Sequence, residues 1–167
     1  MEKKEIIEII ITIVIAAMTG YISSKIAYNR EIERRIYDER EMTYIALFKL
    51  VEKLKRNPFL VYNSTEFLIP FGEIKAKLNL YASQEVLNIV APFNDSINEI
   101  SNKYFELFGS VEAHRVKEAR LEQEDATELE LLQEEELYME NNVIDKVYVN
   151  EVFSNLIFQI RKELKTE

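Results

Sequence analysis

The feature that most restricts this chain is an apolar run close to its start. Residues 6–23 read IIEIIITIVIAAMTGYIS, with Glu8 as the only charge. A bilayer core takes about 20 apolar residues of helix, with a range of roughly 17–25. The run sits at the short end of that range, and its uncharged part, residues 9–24, is shorter still. Glu8 lies near one end, where a carboxylate reaches the interface, and Tyr21 lies where an interfacial aromatic belongs. The run therefore predicts a transmembrane helix. A buried core helix and a cleavable signal peptide are the competing readings. The leading MEKKE has no excess of positive charge, and no small-x-small cleavage site precedes a plausible mature start.

Flanking bases give the expected orientation. Lys3 and Lys4 precede the run; Lys25, Arg30, Arg34, Arg35 and Arg40 follow it. The side with more bases stays in the cytoplasm. The expected location is the inner (cytoplasmic) membrane, crossed once, with the N-terminus out and the C-terminus cytoplasmic. The expected division is residues 1–24 as N-terminus and span, and residues 25–167 as a cytosolic stalk and bundle.

The run is uneven around its circumference. At about 100° per residue, Glu5, Glu8, Thr12, Thr19 and Ser23 share one sector of roughly 60°. Ala16 and Gly20 form a small-xxx-small pair beside it. Small residues let membrane helices approach closely, and hydroxyls bond across them. The stripe of Glu8, Thr12, Thr19 and Ser23 is thus expected to face other subunits or a wet lumen, with Ala16 and Gly20 as packing positions. The plainer alternative is that Thr and Ser bond back to their own helix backbone.

Composition favours helices for the rest. Three Gly and three Pro in 167 residues are few for a sheet-rich fold. No Gly or Pro interrupts residues 25–56, where Ile36, Thr43, Leu47, Leu50 and Leu54 follow one face. Alternating Arg and Glu or Asp over residues 29–41 read as an ion-paired helix surface, a stalk. Asn57-Pro58 ends that helix. A second helix centres on Phe67, Phe71, Ile74, Leu78 and Tyr81, with Pro70 in its first turn or bending it. A third opens after Ser83, a good N-cap, and carries Val86, Val90, Phe93, Ile97, Ile100, Tyr104, Leu107 and Val111 on one face. Pro92 should kink it. Residues 122–140 hold nine acidic residues and no Lys or Arg, without the ligand spacing of a calcium loop, so a solvated helix face or mobile connection is expected. A last helix carries Val149, Phe153, Leu156, Ile160 and Leu164. The expected class is all-α, a span and stalk followed by a bundle of about four helices.

Chemistry-bearing residues are sparse. There is no Cys, which removes disulfides, thiolate metal sites and a cysteine nucleophile. His114 is the only histidine and extends the third helix's apolar row, so it reads as a packed or boundary side chain. One His does not make a zinc site, and no nucleophile-elbow motif is present. No cofactor and no metal are expected. The net charge of −9 argues against general nucleic-acid binding.

The N-terminal run, the Arg/Glu stalk, the stretch KAKLNLYASQEVLNIVAPF (residues 75–93) and the closing FQIRKEL (residues 158–164) resemble small bacterial single-span membrane proteins with a HEPN-like helical cytosolic domain. The membrane accessory proteins of type VI-B CRISPR systems belong to that group. The resemblance implies a HEPN-like bundle, a homo-oligomeric assembly in the lipid bilayer, and a role in antiphage defence, as a pore-forming or membrane-perturbing accessory. HEPN ribonucleases place an Arg about five to seven residues before a His. Arg161 corresponds to the Arg, but Thr166 stands where the His would be, so Arg161 marks a degenerate position and no enzyme is expected. The alternatives are a non-catalytic membrane anchor or scaffold that docks a cytosolic defence partner, and a degenerate HEPN-type ribonuclease.

Overall fold

The computed structural model describes residues 3–123 and 126–165, and the side chains of residues 12–123 and 126–164. Among these the chain is helical with no strand, as the scarcity of turn residues predicts. The α-helices are α1 (Lys3–Arg56), α2 (Ile69–Tyr81), α3 (Gln84–Tyr104), α4 (Val111–Glu122), α5 (Glu128–Asn141) and α6 (Lys146–Lys165).

One expectation is overturned. No helix among the described residues is long and apolar enough to cross a membrane. The apolar run is only the first part of a 54-residue helix. The side chains before Thr12 lie outside the described ones, and what is described of the run, Thr12 to Ser24, is short and interrupted by Thr19, Gly20, Ser23 and Ser24 before Lys25 closes it. The transmembrane helix is therefore withdrawn. The inner-membrane location, with its single crossing N-out and C-in, rested on it and goes with it.

The chain forms two compact units, residues 1–40 and residues 41–167. The first is the opening stretch of α1. Every described side chain from Thr12 to Ile36 is exposed.

In the second unit, local signals set the element ends. Asn57 caps the short 3-10 turn Pro58–Tyr62, its side chain accepting from Phe59 N. Asn63 caps the next turn, accepting from the amides of Thr65 and Glu66 at 3.1 and 2.9 Å. Pro70 then sits in the first turn of α2, where a missing N–H costs nothing. Ser83 caps α3 and Ser110 caps α4, each accepting the amide three residues on. Thr127 and Glu130 form a capping box that opens α5 inside the acidic stretch. That stretch is a solvated helix face from Glu128 onward.

The core joins one face each of α1, α2, α3 and α6. Tyr44, Leu47, Val51 and Leu54 meet Phe71 and Leu78, Val86, Phe93 and Ile97, and Val149, Leu156 and Ile160. Phe93 stands edge-on to Phe71, ring centroids 5.8 Å apart. Pro92 lies within α3, and Ser96 donates to its carbonyl at 3.1 Å.

The third helix ends sooner than its apolar row suggests. After Tyr104 the chain widens into a π-turn, Phe105–Gly109, and Ser110 starts a new helix. Gly109 lets the chain pass close to Phe105: a Cβ there would come within 2.7 Å of the exposed ring, which would have to shift. Leu107 and Val111, expected on the buried face, are therefore exposed. α4 has no buried residue and α5 has only Leu131.

Candidate functional site

The first candidate is the uncovered part of α1. Its apolar side chains are not spread evenly. At about 100° per residue, Val14, Ile15, Met18, Tyr21, Ile22, Ile26, Tyr28, Ile32 and Ile36 fall in one arc of roughly 160°. Ile15 is 59 % exposed, Ile22 52 %, Ile32 38 % and Ile36 40 %. Tyr44, Leu47, Leu50, Val51 and Leu54 lie in the same arc and are buried. From Tyr44 onward the bundle buries this face; from Val14 to Ile36 the described residues leave it exposed. Monomeric proteins seldom expose a contiguous apolar patch of that extent.

The other side of this stretch carries the charge pairs. Arg35 donates to Glu31 at 3.0 Å and Arg34 faces Asp38 at 3.9 Å, both one turn apart. Lys25, Asn29 and Glu33 are the polar residues of this stretch that stand within the apolar arc.

The residues singled out from sequence fall beside this arc or opposite it. Thr12, Ala16, Thr19, Gly20 and Ser23 are all exposed. The Thr19 hydroxyl donates to the Ile15 carbonyl at 2.8 Å, so its own helix satisfies it. A Cβ on Gly20 would meet no atom within 4 Å. The side chain of Glu8 lies outside the described ones.

The second candidate is a cleft of about 450 Å³ between the π-turn, α4 and α5. Leu107, Phe108, Val116 and Leu131 give it apolar lining; His114, Lys117 and Arg120 line it from α4, and Glu134 and Glu135 from α5. Arg120 grips Glu134 with two hydrogen bonds of 2.8 and 2.9 Å, closing the α4–α5 pair, and holds that carboxyl below its usual range. His114 is exposed rather than packed, because the row it was expected to extend ends at Gly109. Its Nδ1 lies 2.8 Å from the Ser110 carbonyl.

Phe108 of the cleft also belongs to an aromatic ladder that no local sequence pattern encodes. Tyr62 and Tyr104 are 4.8 Å apart, Tyr104 and Phe108 5.5 Å, Phe108 and Tyr138 5.3 Å. Tyr104 donates its hydroxyl to Glu135. Burial, reinforced by the Glu135 hydrogen bond and charge, pushes its pKa up to about 12. Burial does the same to Tyr62, also to about 12. The Tyr62 hydroxyl has no hydrogen-bond partner among the described residues. Both phenols are neutral near pH 7.

No known family, curated protein or solved structure matches the chain.

The resemblance to HEPN-like membrane proteins therefore rests on the quoted residues alone. Arg161 is exposed on α6, beside a shallow hollow shared with Ser154, Ile157, Phe158 and Lys162. Thr166 lies outside the described residues. Among the described residues no group of three or more His, Asp or Glu side chains is placed to hold a metal ion.

A third cluster also escaped the sequence reading. Glu163 of α6 accepts from Tyr44 Oη of α1 at 2.6 Å, from Ser83 Oγ at the start of α3, and from Gln159 at 3.3 Å. It ties three elements together at one carboxylate. Glu163 was legible only as part of an i, i+4 pair with Gln159; its partners Tyr44 and Ser83 are distant in sequence.

Proposed function

We propose that the protein is a self-assembling, non-catalytic scaffold: the opening stretch of α1 joins copies of the chain, and each copy carries a helical bundle that offers docking surfaces. The observation that carries this reading is the uncovered half of the α1 apolar face. Burying apolar area is worth about 25 cal/mol per Å². A row of Ile, Val, Met and Tyr from Val14 to Ile36 therefore favours association once a matching surface is available. A second copy supplies the identical face at the same concentration.

The antiphage setting suggested by the resemblance is compatible with such a scaffold. The pore-forming version depended on a membrane span and is dropped. What remains is assembly, with a defence protein as one class of partner for the bundle.

Sedimentation equilibrium of the full chain tests the reading. The expected mass is a multiple of the 19.7 kDa chain. Ile15→Lys with Ile22→Lys should return it to one chain while leaving the helical circular-dichroism signal unchanged. A wild-type chain that sediments as a monomer at micromolar concentration would remove the scaffold reading.

A further inference from the structure

We infer that copies of α1 associate side by side, parallel and in register, in a bundle of three or more chains whose polar layer is Asn29. This deepens the scaffold reading and rests on it.

Spacing supplies the first part. Ile15, Met18, Ile22, Lys25, Asn29, Ile32 and Ile36 follow each other at alternating steps of three and four, which is the a and d pattern of a coiled coil. Ile15, Ile22, Asn29 and Ile36 fill the a positions; Met18, Lys25 and Ile32 fill d. Glu39 occupies the next d and ends the seam. Every side chain from Ile15 to Ile36 in this row is exposed within the chain.

Arc width supplies the number. In a two-stranded coil only the a and d rows are fully enclosed. Here the positions just before the first three a residues are also apolar, Val14, Tyr21 and Tyr28, while Arg35 stands before Ile36. A helix that must cover a second row beside its seam needs a neighbour on each side, so at least three helices meet. The ion pair Arg34–Asp38 stays on the outer side, where water reaches it, and Arg35 at the edge of the covered row turns to Glu31 on that outer side.

Polar placement supplies the direction. An antiparallel pair that covered residues 11–36 would set Ile36 against Ile11 and Asn29 against Met18. That buries an amide among apolar groups without a partner. A parallel, in-register bundle sets Asn29 against its own copies, where side-chain amides bond to one another. One polar residue at an a position is a known means of fixing register at some cost in stability. The Lys25 stem packs along the seam and carries its ammonium outward to water. The parallel arrangement also matches the apolar block before Ile26 with itself and the charged block after Asn29 with itself.

The natural chain has no Cys, so introduced thiols report directly. In the full-length protein, Ile36→Cys should oxidise to a disulfide-linked pair of chains. An equal mixture of Ile11→Cys and Ile36→Cys chains should give no mixed disulfide. Sedimentation of the unmodified protein should give three or more chains. Asn29→Leu should give a more stable assembly with a spread of masses, since the register lock is gone. A mixed Ile11–Ile36 disulfide without the Ile36–Ile36 product would overturn the parallel arrangement while leaving self-assembly intact. A two-chain mass would overturn the bundle of three or more. A monomer would overturn both this inference and the scaffold reading.

Discussion

Glu163 is the residue on which three elements converge, and it shows what a single side chain does for this fold. Tyr44 is 1 % exposed, and its hydroxyl reaches Glu163 at 2.6 Å. Tyr44→Phe removes a hydrogen bond to a carboxylate, a loss of roughly 1.5–3 kcal/mol. Urea unfolding of the pair should show the midpoint fall without a change in slope. Leu156→Ala, at a fully buried position of α6, should cost about 2–5 kcal/mol by leaving a cavity. Tyr62 behaves in the opposite sense. Its hydroxyl is buried without a partner, so Tyr62→Phe should leave stability unchanged or raise it. The pH dependence follows from the same burial. Tyr62 and Tyr104 hold their protons up to about pH 12 in the folded chain. In the unfolded chain they release them near pH 10, the ordinary value for tyrosine. Between those values the folded state binds more protons, so stability falls as pH rises through the window. Urea midpoints at three alkaline pH values should decline, and less steeply in the Tyr62→Phe variant.

At the scale of elements, sequence periodicity located most of the bundle. The rows Phe67–Leu78 and Val149–Ile160 appear where spacing put them, and the Asn57-Pro58 stop ends α1 at Arg56. The third row failed past Tyr104. Leu107, Val111 and His114 continue the arithmetic of a helix, but Gly109 and Ser110 carry stronger local instructions, a close approach to Phe105 and an N-cap. The aromatic ladder was not legible, because it pairs Tyr62 with Tyr104 across separate elements and no local pattern encodes that. α4 has no buried side chain and is tied to α5 by Arg120 and Glu134. Helices held so lightly open first. Backbone amides of Val111–Glu122 should exchange with deuterium faster than those of α3. Arg120→Ala should speed that exchange further while costing under about 1 kcal/mol of global stability, since the pair is largely exposed.

For the molecule as a whole, the N-terminal run carries the lesson. Its apolar residues were read as a lipid-facing span, and the polar stripe of Thr12, Thr19 and Ser23 as the contact side. With no helix among the described residues long and apolar enough to cross a membrane, the apolar arc becomes the surface that needs covering. The arc was only partly legible in sequence, because the row was followed from Ile36 onward and the residues before it were assigned to lipid. The account now stands on whether that arc is buried between copies. Single cysteines at Ile22, within the arc, and at Gly20, across the helix from it, put the question to the full-length protein. The rate of reaction with a water-soluble thiol reagent is the measurement. The account predicts that the Ile22→Cys thiol is protected at high protein concentration and becomes reactive on dilution, while the Gly20→Cys thiol reacts rapidly throughout. Equal, concentration-independent reactivity at both positions would contradict it.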